Sequence, residues 1–237
     1  MKTLIGAARY VAAVFLSMVY AVIAILTIPI DRGGRLFHAN ARNWARSILL
    51  LCGIHVRVHG VDKLVPGRSY IYVSNHASAF DIPSILAAIP DQIRIIYKKE
   101  LEKIPIFGWG LKWGSYIGIE RSGSRDAIKS LDRAATSMRE GASVLLYAEG
   151  TRTMDGRLQP FKRGAFTLAV KSGVSVIPLT VNGSYSILPK HSIAIRPGSV
   201  ELVLSDPIAV TGRTGKEGEM DLMQKVHDAI AANYVNQ

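Results

Sequence analysis

Residues 10–30 carry no charged side chain over 21 consecutive positions, and no other feature of the chain constrains its fold as tightly. At roughly 1.5 Å per residue a helix of that length matches the roughly 30 Å hydrocarbon layer of a bilayer. A secretory signal peptide is the competing reading, but the stretch exceeds the usual hydrophobic part of such a peptide and no clear small-residue cleavage site follows it. After Pro29, Asp31-Arg32-Gly33-Gly34-Arg35 forms a turn-favouring basic break that is expected to stay on the cytoplasmic side and to keep the rest of the chain there. Lys2 and Arg9 precede the segment, so both flanks are basic and a helical hairpin dipping into one leaflet fits as well as a span.

From residue 35 to 51, Phe37, Ala41, Trp44, Ile48 and Leu51 recur at helical spacing, with Arg35, Arg42 and Arg46 on the opposite face. Such a helix suits either an anionic membrane surface or the outside of an ordinary domain. The 237 residues allow one α/β domain with a short appendage and leave no room for two full domains. A hydrophobic content of 49% against 20% charged residues fits a lipid-facing surface or a large buried sheet. The net charge of +11 calls for an anionic partner: phospholipid headgroups, a phosphorylated substrate, an acidic carrier protein or nucleic acid. The charge is spread along the chain without a recognition motif, so nucleic acid is set aside. The single cysteine, Cys52, follows three leucines and reads as a buried thiol, which excludes a disulfide scaffold.

Beyond Gly53 short apolar strands alternate with amphipathic helices, the texture of an α/β domain with a mostly parallel central sheet flanked by helices. The division expected is a membrane-anchoring two-helix segment over 1–53 and a catalytic domain over 54–237. Strands are expected around Val56 and Val58 and at 69–74, 93–97, 115–120, 143–147 and 174–181. Helices are expected at 81–89, around Ala127, Ile128, Leu131, Ala135 and Met138, at 163–172 ended by Gly173, and at 221–234 on Leu222, Val226 and Ile230. Pro197-Gly198 is read as a hairpin turn joining strands 192–196 and 199–204.

Two motifs carry chemistry. Asn75-His76-Ala77-Ser78-Ala79-Phe80-Asp81 follows an expected strand and leads into a helix, where α/β proteins place reactive groups. A separation of five turns side chains about 140° apart on a helix, so His76 and Asp81 meet only if His76 lies in the preceding turn. There the Asp81 carboxylate can fix the tautomer of His76, making His76 a general base and Asp81 its orienter. A lone His-Asp pair at this spacing also arises by chance. The second motif, Glu149-Gly150-Thr151-Arg152, runs out of a buried strand and suits a phosphate ester. Arg152 forks onto phosphate oxygens, Thr151 donates a hydrogen bond, Gly150 lets the backbone approach, and Glu149 positions Arg152 or a ligand hydroxyl. Taken alone, it is also what an exposed loop with a Glu-Arg pair looks like.

In their order along the chain these motifs resemble the glycerolipid acyltransferases, the 1-acylglycerol-3-phosphate acyltransferases among them. The Asn-His-x-Ser-x-x-Asp pattern of that family is met by residues 75–81 and its Glu-Gly-Thr-Arg block by residues 149–152. Lys98-Lys99-Glu100-Leu101 with Ile104-Pro105 and Gly108-Trp109 is similar to the segment that leads to a block ending in arginine, here 114–121. Val176-Ile177-Pro178-Leu179 follows in the expected place. Ala148 stands where the family usually has proline, and Gly118 where it commonly has phenylalanine.

The resemblance, over roughly residues 54–210, implies an O-acyltransferase. His76 would take the proton of an acceptor hydroxyl that attacks an acyl thioester in one displacement. Arg121 and Arg152 would hold the phosphate of a lysophospholipid acceptor, with Lys98 lining the same site. The implied product is phosphatidate; another lysolipid or glycerol 3-phosphate is the nearest alternative acceptor, and a non-catalytic anionic-lipid binder is the alternative of another class. No metal and no cofactor is expected, since the acyl carrier protein or coenzyme A thioester enters as a substrate. The partners implied are membrane phospholipid, the lysophospholipid and the thioester donor, at the cytoplasmic face of a bacterial inner membrane. The segment 109–113 and the N-terminal helices either cover a channel for acyl tails or belong to an ordinary core.

Overall fold

The computed structural model describes residues 2–31, 33–119, 133, 134, 136, 138 and 140–236. The uncharged N-terminal run forms helix α1 (Lys2–Thr27), and the basic break turns it into α2 (Arg35–Cys52), which ends on Gly53 at φ +68°. Strands β1 (Ile54–His59), β2 (Ile71–Ser74), β3 (Ile93–Lys98) and β4 (Ile117–Ile119) follow, interrupted by α3 (Asp81–Ala88) and α4 (Phe107–Trp113). The remainder is β5 (Ser143–Tyr147), α5 (Gly164–Ser172), β6 (Val176–Asn182), α6 (Ser184–Ile187), β7 (Gly198–Leu204) and α7 (Gly215–Asn233). Most of the expected helix around Ala127, Ile128, Leu131 and Ala135 lies outside the described residues; Ala134 and Met138 at its end are buried.

The seven strands make one sheet in the order β1-β7-β6-β2-β5-β3-β4, parallel except where β6 meets β7. The central strands β2 and β6 are buried at every position, as a sheet covered on both faces requires, whereas β1 and β7 alternate between buried and open positions. On one face α2 and α3 pack with Tyr72, Leu145, Ile177 and Leu179. On the other, α5 and α7 pack with Val73, Val144, Leu146 and Val176, and the stripe Leu222, Val226 and Ile230 seals α7 to that layer.

The expected hairpin of 192–196 with 199–204 does not form. A strand has two edges, and those of β7 are taken by β1 and β6. Residues 192–196 are irregular, and their backbone bonds elsewhere: Ile195 N–H to Gly6 O (3.3 Å) and Arg196 N–H to Ile187 O (3.0 Å). The basic face expected on α2 is also divided. Arg35 and Arg46 are exposed, but Arg42 reaches inward to the carbonyls of Leu86, Ile89 and Asp91, closing the C-terminal end of α3.

Helix α1 lies along the domain. Tyr20 pairs with Ser47 (2.9 Å), Trp44 donates to Ser17 (3.0 Å), and Asn40 donates to Tyr20 O (3.0 Å). Near its start, Gly6 lies against residues 194 and 195, where a Cβ would come within 3.0 Å of Ile195 O. Its outward side carries Leu4, Val11, Phe15, Val22 and Leu26, all exposed. The turn between α1 and α2 is fastened to the sheet by Arg94, a buried residue of β3 that donates to Gly34 O (3.0 Å) and Gly33 O (2.7 Å). Gly34 takes φ +63°, and a Cβ there would collide with Ser115 and Arg94, so glycine is required on both counts.

Replacing Arg94 by methionine removes one donor from each of those carbonyls, leaving Gly34 O to the His38 N–H (3.1 Å) and Gly33 O to the Gln92 side-chain amide (3.0 Å). Arg94→Met is expected to lower stability by about 1–3 kcal/mol, read from the thermal midpoint of the detergent-solubilised protein. The exposed Arg35→Met should stay within about 0.5 kcal/mol of wild type. Equal midpoints for the two variants would refute the clasp.

Candidate active site

The site is assembled where β2 and β5 end. The two strands run parallel with Ser74 opposite Tyr147, so residues two further along each chain, His76 and Glu149, leave the same edge of the sheet side by side. Two hydrogen bonds of the His76 backbone then stitch the two loops together. His76 N–H donates to Glu149 Oε1 (2.9 Å), and Thr153 N–H donates to His76 O (2.8 Å). Asn75 locks the loop to the neighbouring strand on the other side, donating to Val181 O (2.9 Å) and accepting from Val181 N–H (2.8 Å).

His76 lies in the turn ahead of α3, and Asp81 is the first residue of that helix. The ring Nδ1 stands 2.6 Å from Asp81 Oδ2, which also accepts the backbone N–H groups of Ala77 (2.8 Å) and Ser78 (3.0 Å). Because those two donors already aim at Oδ2, the oxygen acts as acceptor and the Nδ1 proton completes the set. The opposite nitrogen, Nε2, keeps its lone pair and makes no hydrogen bond with a described residue. Asp81 is fully buried, while the His76 side chain is 16% exposed. Ser78 Oγ, tied to Leu188 O (2.9 Å), accepts the Phe80 N–H (3.3 Å) and holds the turn.

The ring of His76 is also covered on its face. Tyr147 stacks on it with centroids 3.9 Å apart and planes 15° from parallel. The phenol oxygen of Tyr147 is buried without a partner among the described residues, and burial, helped by the Asp81 charge, pushes its ionisation well above the ordinary range. Beneath the loop, burial pushes the Glu149 carboxyl up to about 8, against the opposing pull of the backbone N–H groups of His76 and Gln159. Glu149 Oε2 is buried with no hydrogen-bond partner among the described residues.

Of the residues singled out in the sequence, His76, Asp81 and Glu149 are brought into one hydrogen-bonded unit. Gly150 turns the chain at φ +75°, Thr151 accepts a bond from Lys190 Nζ (3.3 Å), and Arg152 is half exposed with no ion pair to a described residue. Lys98 ends β3, next to β5, and pairs with Glu100 (3.1 Å). Arg121 lies outside the described residues. Among the described residues no group of three or more His, Cys, Asp or Glu side chains is placed to hold a metal. Tyr147 was not singled out, although an aromatic at the end of the strand that carries the Glu-Gly-Thr-Arg turn is the residue able to reach His76 from β5.

The two departures from the family pattern have local reasons. Ala148 donates its N–H to Ser74 O (3.1 Å), a bond proline cannot make, which carries the β2–β5 pairing one residue further. Over Gly118 the space is filled: a Cβ would come within 2.7 Å of Glu102 Oε1 and 3.1 Å of the Tyr97 ring. Tyr97 donates its hydroxyl to that Glu102 oxygen (3.0 Å).

Residues 55–182 match the model of the family described as Acyltransferase. A chloroplastic 1-acyl-sn-glycerol-3-phosphate acyltransferase of Brassica napus is 36% identical over 75% of this chain and 52% of its own length. A 1-acyl-sn-glycerol-3-phosphate acyltransferase alpha of Mus musculus is 33% identical over 81% of this chain and 69% of its own. The chain spans about half the length of the first of the curated relatives it matches. The crystal structure of the 1-acyl-sn-glycerophosphate acyltransferase of Thermotoga maritima shares the fold, with a TM-score of 0.82 at 24% identity over 98% of this chain and 96% of that one.

The raised Glu149 carboxyl gives stability a pH dependence of definite sign. Between its ordinary value near 4.5 and about 8, the folded chain keeps a proton that the unfolded chain releases. Stability is therefore fullest below that window and falls as pH rises through it, by at most about 1.4 kcal/mol per pH unit. The thermal midpoint is expected to drop between about pH 5.5 and 8, and Glu149→Gln to flatten that drop; parallel curves would show that Glu149 ionises freely.

Proposed function

The chain belongs to the acyltransferase family, and from that premise we propose that it transfers a fatty acyl group from a thioester to the sn-2 hydroxyl of 1-acylglycerol 3-phosphate, forming phosphatidate for phospholipid synthesis. The observation that carries this reading is the His76 imidazole, held in plane by Asp81 and on its face by Tyr147, with Arg152, which makes no ion pair with a described residue, on the loop bonded to its backbone. The names of the relatives support the acceptor.

In this mechanism Nε2 of His76 takes the acceptor hydroxyl proton as the oxygen attacks the thioester carbonyl. The new C–O bond forms, the C–S bond breaks, and the proton passes from the imidazolium to the departing thiolate. Asp81 stabilises the imidazolium through Nδ1, and the electron-rich face of Tyr147 does so from above. No acyl-enzyme is needed, and Cys52 is buried in the core with its thiol pushed up to about 11 by burial, which makes it a poor nucleophile. Arg152, with Arg121 and Lys98, is the proposed holder of the acceptor phosphate. An apolar cavity of about 130 Å³, lined by Tyr20, Phe37, Trp44, Tyr97 and Leu111 among others, reaches Ile82, the residue after Asp81, and is the proposed place for an acyl tail. An acyl carrier protein or a coenzyme A thioester serves as donor.

Residues 1–53 are proposed to be the membrane element of a catalytic domain over 54–237. The apolar stretch Thr3–Ile30 is long enough to cross a bilayer. Yet α1 touches the domain from Gly6 to Ala24, about 27 Å of its length at roughly 1.5 Å per residue. A span would drag α2, with Arg46 and Asn43 exposed, into hydrocarbon. We therefore place α1 in one leaflet, its outer apolar stripe in lipid and both ends on the cytoplasmic side.

Two measurements test these readings. Membranes containing the protein, given an acyl thioester and a panel of lysolipids, are expected to form phosphatidate, with His76→Ala lowering turnover by about 10²- to 10⁴-fold. Undiminished turnover by His76→Ala would remove the general base, and turnover of other lysolipids alone would move the acceptor. Separately, single cysteines at Thr3 and Gly33, which are both exposed, are probed with a membrane-impermeant maleimide in sealed vesicles of each orientation. Both are expected to react in the same orientation; reaction in opposite orientations would establish a span.

A further inference from the structure

The turn that carries Thr151 and Arg152 is ringed by positive charge for which the described residues supply no counter-ion. Lys162 donates its backbone N–H to Ala148 O (2.8 Å), which brings the lysine back beside the loop it follows. Its side chain lies across Gly150, where a Cβ would meet Lys162 Cδ at 3.0 Å and Nζ at 3.3 Å. From the other side Lys190, just beyond α6, donates Nζ to Thr151 Oγ1 at 3.3 Å. Among the described residues no carboxylate lies within 4 Å of the cationic nitrogens of Arg152, Lys162 or Lys190.

The neighbouring cations differ in this respect. Arg163 pairs with Glu219 (3.2 Å), Lys98 with Glu100 (3.1 Å), and Arg157 lies 3.9 Å from Asp155. The carboxyl inside the turn, Glu149, is held largely neutral at pH 7 and leaves the charge uncancelled, and its buried Oε2 faces no partner. Lysines on an open surface spread apart in water; these two converge on a glycine and a hydroxyl. A cluster of like charge with hydrogen-bond donors around one turn is a site waiting for an anion.

We propose that Lys162 and Lys190 form, together with Arg152, a cradle for a phosphate ester, with Gly150 and Thr151 as its floor. This rests on the reading of the loop as phosphate-binding and names the groups that complete it. Lys162 leads into α5, on the face of the sheet opposite the apolar cavity. Head and tail of an amphiphile would thus lie on the two sides of the strand ends, with His76 between them. The phosphate belongs either to the acceptor, as a phosphomonoester, or to the phosphopantetheine arm of the donor.

The test uses the full-length protein in vesicles with Lys162→Met, Lys190→Met and the double variant. Each lysine is expected to raise the KM for one phosphate-bearing substrate on the order of tenfold, with kcat within about twofold. A rise for 1-acylglycerol 3-phosphate, without one for monoacylglycerol, supports the cradle and gives its phosphate to the acceptor. A rise for acyl-coenzyme A, without one for an acyl N-acetylcysteamine thioester, supports it and gives the phosphate to the donor. Unchanged constants for all four in the double variant would overturn the cradle. Binding of glycerol 3-phosphate and of coenzyme A to the purified protein, followed by calorimetry, separates this result from a failure of the acyltransfer reading. Loss of either ligand in the double variant supports the cradle even if no lysolipid is turned over, and full retention of both counts against it.

Discussion

Two hydrogen bonds made by the His76 backbone across the ends of β2 and β5 hold the site together: His76 N–H to the Glu149 side-chain Oε1 and Thr153 N–H to His76 O. They act where the ladder of the sheet has just ended, so they inherit its register. Parallel strands deliver their C-terminal loops to one edge, and pairing Ser74 with Tyr147 fixes which residues of those loops are neighbours. The imidazole is thereby anchored to the buried centre of the sheet, whose close packing makes it rigid. Orientation at the moment of reaction then needs little further ordering, which is how positioning lowers a barrier.

That rigidity is obtained by burying polar groups that water would otherwise solvate. Asp81 is fully buried yet has three donors on one oxygen, so its desolvation is largely offset where it faces His76. Its other oxygen, Oδ1, and Glu149 Oε2 are both buried with no hydrogen-bond partner among the described residues; Glu149, whose Oε1 accepts from His76, has its pKa raised by burial. A domain built only for stability would place an apolar residue there. Keeping a carboxyl under the loop instead holds the His76 backbone from below and leaves the turn above it positively charged, both of which the proposed reaction uses.

The parts of this arrangement legible in the sequence are those set by local periodicity. The stripe Leu222, Val226 and Ile230, the apolar run of β6 and the uncharged N-terminal segment each announce their own element. The His76-Asp81 spacing implied a turn before the helix, and the backbone has that turn. Elements fixed by distant partners were not legible. Arg42 looks like a surface cation until α3 brings its last carbonyls alongside. Residues 192–196 look like half of a hairpin until β1 claims the edge of β7. Tyr147, Lys162 and Lys190 carry no spacing signal, because their common point is a place in space and their separations along the chain are arbitrary.

The same topology sets where α1 and α2 sit. Helix α2 packs on the sheet face that also carries α3, and α1 and α4 close over it, so the apolar cavity is walled on one side by the helix whose outer stripe is exposed. A fatty chain moving from bilayer to cavity past α1 exchanges one hydrocarbon surrounding for another. Carrying it through water instead would cost about 0.8 kcal/mol for every methylene, more than ten in all for a long chain. The proposed cradle of Arg152, Lys162 and Lys190 would not suit that face, since each of the three cations would lose hydration beside lipid tails. In the proposed reaction, separating head and tail to opposite sides of the strand ends would let one reacting centre serve a substrate that is itself half grease and half ion, with His76 between them.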